Sequence, residues 1–144
     1  PFIKKVFPNA KIIITERDYK DIALSMYTNY FEGDAMSFSS SFSSIIKYIA
    51  FFNKVKNYWF EIYDDLYLIN YEKLILDQKS ETEKLLNYCG LNYEEQCLNY
   101  YESKNVVDTV SFSQARKKIY KNKISYWKNY ADIYFKEFNE LNLQ

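Results

Sequence analysis

The sequence predicts a mostly helical α/β fold with two or so short parallel strands, and three observations predict it. KIIIT at residues 11–15 and LYLIN at residues 66–70 are short aliphatic runs of the kind that form buried strands. A long stretch patterned at helical spacing separates them, and a connection of that length joins parallel neighbours. Gly and Pro number two each in 144 residues, too few for an all-β or loop-rich fold. Two strands do not make a stable sheet by themselves. The expectation is therefore that residues 1–144 form the C-terminal part of a single, larger α/β domain.

The elements follow in order. The opening PFIKKVF suggests a helix end, and Pro8-Asn9 a turn. Three consecutive Ile in residues 11–15 suggest a strand buried on both faces. Asp18 caps the next helix, residues 19–31, whose Ile22, Ala23, Met26, Tyr27 and Tyr30 recur at helical spacing, and Gly33 ends it. Residues 34–38 read as a loop. A long helix then runs from the Ser-rich 39–44 stretch to residue 62, with Phe42, Ile45, Ile46, Ile49, Phe52 and Trp59 on one core-facing stripe. Asp64-Asp65 breaks it before the second strand, residues 66–70, and a turn or short helix follows at 71–76. A helix over residues 80–89 has Ser80 and Glu83 as a capping box and Gly90 as its stop. Further helices are expected at 93–101, 113–121 and 125–141.

Composition narrows the chemistry. The chain has no His, which removes Ser-His-Asp and Cys-His mechanisms and imidazole metal sites. Cys89 and Cys97 sit among apolar and aromatic residues without CxxC spacing and read as core thiols of a reducing compartment. No apolar run approaches the ~20 residues of a membrane span, and the expected location is cytoplasmic. Net charge is zero, yet residues 104–128 hold seven cations against one acid, Asp108, leaving the remainder at −6. A local positive field on a neutral chain suits one anionic ligand better than nucleic acid at large. The Tyr-interleaved basic segment leaves open a single-stranded nucleic-acid-binding module or a ligand-free helical interaction module. The missing basic composition elsewhere counts against the former.

Of the 19 basic residues only Arg17 and Arg116 are arginine. Lys serves wherever solubility alone is needed. A planar fork that grips a phosphate with two parallel hydrogen bonds requires Arg. Arg17 follows the first apolar run at a helix start, a common way to build an anion site, and Arg116 lies in the most basic stretch. For each alone, a surface ion pair is the ordinary reading.

PNAKIIITERDYKDIALSMYTNYF resembles the strand–loop–helix that binds the 3′-phosphate in sulfotransferases that use 3′-phosphoadenosine 5′-phosphosulfate (PAPS). It is most similar to the bacterial, tetratricopeptide-associated type, with tyrosylprotein sulfotransferases as more distant relatives. LINYEKLILD, LLNYCGL, VVDTVSFSQARKKIY and ISYWKNY resemble further family segments in the same order. The resemblance implies a P-loop-like parallel-sheet domain and sulfuryl transfer from PAPS to a hydroxyl acceptor on a protein, glycan or small molecule. It implies no metal and no nucleic acid, with a tetratricopeptide region N-terminal in the parent. By position, Arg17 and Ser25 would hold the 3′-phosphate and Tyr71 would contact the nucleotide. Ser111, Gln114, Arg116 and Lys117 would belong to a loop covering the cofactor. Tyr126 stands where many relatives carry a basic residue before the closing Trp127, and Asn29 where some place a cation. No Pro-Arg-Ser-Gly-Thr-Thr-like 5′-phosphosulfate loop occurs in the chain, and no catalytic residue is assigned within it.

Overall fold

A computed structural model describes residues 2–29, 31, 34–102 and 124–140. The chain divides into two compact units. The first comprises Pro1–Glu16 and Asp65–Lys121, the second Arg17–Asp64 and Asn122–Gln144. Among the described residues the structure is mostly helical, with two parallel strands in one sheet, as the sequence predicts.

The first unit begins with α1 (Phe2–Val6) and β1 (Ile12–Glu16), which pairs in parallel with β2 (Leu66–Asn70). The register runs from Ile12 opposite Leu66 to Glu16 opposite Asn70. β1 lies one residue later than expected and is not buried on both faces: Ile13 is 41% exposed, and half-buried and open positions alternate. Only Ile69 of β2 is buried outright. α4 (Tyr71–Leu76) follows directly, its start capped by Asn70, which accepts from Lys73 N at 2.9 Å. α5 (Gln78–Cys89) starts earlier than its expected capping box because Asp77 takes the cap, accepting from Ser80 N at 3.2 Å. Ser80 is thereby drawn inside the helix.

Gly90 ends α5 at φ 73°, and the Leu91 N–H reaches the Leu86 carbonyl at 2.9 Å, the pattern of a Schellman end. Tyr88, one turn back, fastens α5 to the sheet. Its hydroxyl accepts from Ile12 N at 3.1 Å and donates to the Asp65 carbonyl at 2.7 Å, while its ring stacks on Tyr67 with centroids 4.9 Å apart. One side chain so reaches the opening residue of β1 and the residue before β2. Cys89 and Cys97 are free and half-buried rather than core thiols. The expected helix at 93–101 is instead a 3₁₀ helix, Glu95–Glu102, kinked at Asn99.

The second unit is built on α2 (Tyr19–Thr28) and α3 (Phe42–Ile62). Its core joins Ala23 and Leu24 of α2 to Phe42, Ile45, Ile46 and Ile49 of α3. Tyr134 seals the end, its ring 5.1 Å from Phe42 and 5.7 Å from Tyr27. α2 stops short of residue 31 because Asn29 turns extended and spends both its N–H and its side-chain amide on the Ser25 carbonyl. Gly33 lies outside the described residues. Residues 34–38, expected as a loop, belong to a 3₁₀ helix, Asp34–Ser40.

α3 keeps its expected length, but its inward face changes character halfway. Phe52 is 43% exposed, and Lys56, at 8% exposure, takes an inward place. Lys56 Nζ donates to the Tyr19 hydroxyl at 3.0 Å, and that hydroxyl donates to Asn53 Oδ1. A polar side chain can be buried there because it is hydrogen-bonded. The continuous helix expected at 125–141 is broken into a 3₁₀ helix (Tyr126–Tyr130), a turn and α6 (Phe135–Glu140). The expected 113–121 helix lies outside the described residues.

Two expectations follow. Ile45→Ala, wholly buried in the first turn of α3, should lower unfolding free energy by about 2–5 kcal/mol in a denaturant titration, and Phe52→Ala by much less. Lys4 bonds the Asp65 carboxylate and holds its pKa below the ordinary 3.8. A depressed carboxylate pKa contributes stability above the unfolded value and loses it as pH falls through the folded one. Asp65→Asn should therefore flatten the acid limb of the stability–pH curve and leave its slope near neutrality unchanged.

Candidate anion site at the start of α2

Chain order places Arg17 between the end of β1 and the first turn of α2. Asp18 is the N-cap, its Oδ1 accepting from Lys20 N at 2.8 Å and Asp21 N at 3.3 Å. That satisfies two of the amides a helix start leaves over. The positive end of the helix dipole favours an acid in this turn, and Asp21 supplies one.

Asp21 is buried, at 3% exposure: Oδ1 is hydrogen-bonded, and Oδ2, which has no hydrogen bond among the described residues, meets Arg17 at ion-pair distance. Oδ2 lies 3.5 Å from the Arg17 guanidinium, whose side chain keeps 27% of its surface open to solvent. Oδ1 accepts from Trp127 N at 2.8 Å, across 106 residues of sequence. The Lys20 ammonium sits 4.2 Å from the Trp127 ring centre, a cation–π contact. The carboxylate thus aims Arg17 and pins the Tyr126–Tyr130 segment in one stroke. The Trp127 amide faces Asp21, and Ser125, two residues earlier, takes the left-handed conformation at φ 54°.

Ser25 is exposed two turns into α2, its Oγ accepting from Asn29 Nδ2 at 3.3 Å. Asp21 and Ser25 stand one turn apart on α2, while Arg17 lies before the helix cap and meets Asp21. Tyr71 opens α4 in the first unit and is half-buried. Ser111, Gln114, Arg116 and Lys117 lie outside the described residues, as does most of the basic 104–128 segment on which a nucleic-acid or interaction module would rest. Tyr126, which replaces a basic residue of many relatives, has its hydroxyl 3.3 Å from that of Tyr130.

The sequence reading passed over Asp21 as a ligand of Arg17, although its i+4 spacing was visible. Its bond to Trp127 had no sequence signal, and neither had the buried Lys56–Tyr19–Asn53 chain behind the first residue of α2. Among the described residues, no cluster of three or more His, Cys, Asp or Glu is placed to hold a metal, and no helix is long and apolar enough to cross a membrane.

An acid-capped helix entered from a parallel strand, with an arginine at its mouth, is an arrangement that α/β domains use to meet anions. The profile of the sulfotransferase family matches residues 1–95, and the chain belongs to that family. It is also 30% identical over 128 residues to an uncharacterized protein of Aquifex aeolicus (strain VF5), a match covering 87% of this chain. The chain spans 17% of the length of that relative.

If Asp21 organises the site, Asp21→Ala should cost about 2–3 kcal/mol, the scale of stranding a buried donor and its charged neighbour. It should also change the emission of Trp127, read in a Trp59→Phe background. A stability change within the ~0.5 kcal/mol of an ordinary surface substitution, with unchanged emission, would remove Asp21 from this role.

Proposed function

We propose that the chain supplies the 3′-phosphate site of a PAPS-dependent sulfotransferase domain, and that the longer polypeptide transfers a sulfuryl group to a hydroxyl acceptor. The observation that carries this reading is the start of α2. Arg17 meets a buried carboxylate and remains partly open to solvent, and Ser25, one turn beyond that carboxylate, has an exposed hydroxyl. The guanidinium supplies charge and paired donors, and Ser25 adds a third. Membership of the sulfotransferase family supports it. Ser111, Gln114, Arg116 and Lys117 complete the proposal as polar contacts of a covering loop, with Tyr71 against the nucleotide.

In this reading Arg17 never touches the moving group. It spends binding energy on a remote phosphate, and that energy orients the sulfuryl donor for in-line attack. As the acceptor oxygen bonds to sulfur, the bond from sulfur to the bridging phosphosulfate oxygen breaks, and the hydroxyl proton passes to a base. The chain contains neither a phosphosulfate-loop motif nor a His to serve as that base. Both functions fall to other segments of the proposed domain. The tetratricopeptide association is part of the proposal through the family resemblance, and a cytoplasmic location through the two cysteines without CxxC spacing.

Calorimetric titration with adenosine 3′,5′-bisphosphate tests the site. Arg17→Lys keeps the charge and loses the fork, so binding should weaken by about ten- to a hundredfold, equivalent to roughly 1.5–3 kcal/mol. Ser25→Ala should cost less, on the order of 1 kcal/mol. Equal binding by wild type and Arg17→Lys would sink the assignment of Arg17.

A further inference from the structure

α3 carries two apolar faces, and the second unit buries only one. Phe42, Ile45, Ile46 and Ile49 close the core. A second row, Tyr48, Phe51, Phe52, Val55, Tyr58 and Ile62, recurs at the i, i+3, i+4, i+7 spacing of a single helix face. Most of this row is open: Phe51 is 66% exposed, Tyr58 54%, Ile62 49% and Phe52 43%, while Val55 is half-buried and Tyr48, 45% exposed, stacks one face on Phe38. Scattered exposed apolar residues need no explanation, but a continuous row of them does. At about 200 Å² for each ring, the row presents on the order of 500 Å² of apolar surface. Two such rows together reach roughly the 1,000 Å² of a specific, reversible interface.

The row is complementary to itself. Reversing the helix about Val55 exchanges Tyr48 with Ile62, Phe52 with Tyr58, and Phe51 with the half-buried Trp59 at the edge. Every exchange sets an apolar side chain on an apolar one. The polar flank agrees in sign. Lys47 and Glu61 lie on the same side of the row, and in an antiparallel pair same-side positions face each other. The reversal brings Lys47 within two residues of the partner's Glu61, about 3 Å along the axis, inside the reach of these side chains. Lys54, exposed on that flank near the centre, keeps its ammonium in water on a long stem.

The geometry points to this face as the seat of a second copy of the chain, packed as an antiparallel α3–α3 pair about a two-fold axis at Val55. Such an interface is isologous and closes at the dimer. Its modest area sets a weak, concentration-dependent association. The inference is independent of the cofactor reading, since none of Arg17, Asp21 and Ser25 takes part.

Sedimentation velocity on the 144-residue chain, from low micromolar to submillimolar concentration, tests it. A reversible monomer–dimer equilibrium is expected. Phe51→Lys should weaken it by about thirtyfold or more, the scale of losing a central aromatic anchor, with helix content and unfolding midpoint unchanged because Phe51 is exposed. Lys47→Glu and Glu61→Lys should each weaken the dimer, and the double variant K47E/E61K should restore it. Monomers at every concentration would overturn the proposal and assign the face to another polypeptide segment or a different partner. Open-ended association, a dimer indifferent to Phe51→Lys, or no recovery in the double variant would overturn it as well.

Discussion

The second unit depends on one buried carboxylate. Asp21 is almost out of solvent, with a guanidinium 3.5 Å from one oxygen and a backbone amide bonded to the other. Arg17 precedes the helix cap, and Trp127 lies in the 3₁₀ segment Tyr126–Tyr130, whose rings also pack against the core of α2 and α3. A buried charge with two specific partners tolerates fewer arrangements than an apolar contact, which can slide. The arrangement it selects is the one that leaves an arginine at the mouth of a capped helix.

Behind the same turn, Lys56 and Asn53 hold the Tyr19 hydroxyl. The first residue of α2 is therefore fastened from the α3 side while Arg17 is fastened through Asp21. Preorganisation of this kind matters for a phosphate site, because a flexible guanidinium would lose much of its binding energy to ordering itself. α3 is thus divided along its length as well as around it. Its first half packs aliphatic side chains on α2, its second half turns polar groups inward, and its outer face offers aromatic rings to solvent.

In the first unit Tyr88 does for the strands what Asp21 does for the helices. A parallel pair of five-residue strands is a weak structure alone. One hydroxyl bonded at Ile12 and Asp65, over a ring stacked on Tyr67, ties both strand starts to α5. The Lys4–Asp65 ion pair adds α1 to the same corner.

Local chemistry alone determined much of this protein. Strand β2, the parallel pairing, the Asp18 cap, the Gly90 stop and the length of α3 each follow from side chains acting on their own backbone or from a simple periodicity. The ordered family motifs in the sequence likewise carried the sulfotransferase assignment, and the i+4 step from Arg17 to Asp21 was legible though unread. Tertiary structure decided the rest, because the deciding partner was distant or competing. Asp77 displaced Ser80 as a cap because its carboxylate accepts the Ser80 N–H and starts the helix upstream of that residue. Asn29 ended α2 early by taking the Ser25 carbonyl. Phe52 turned outward and Lys56 inward because a Tyr hydroxyl on another helix was there to receive an ammonium. The Trp127 amide met Asp21 across 106 residues, and no window of sequence contains both.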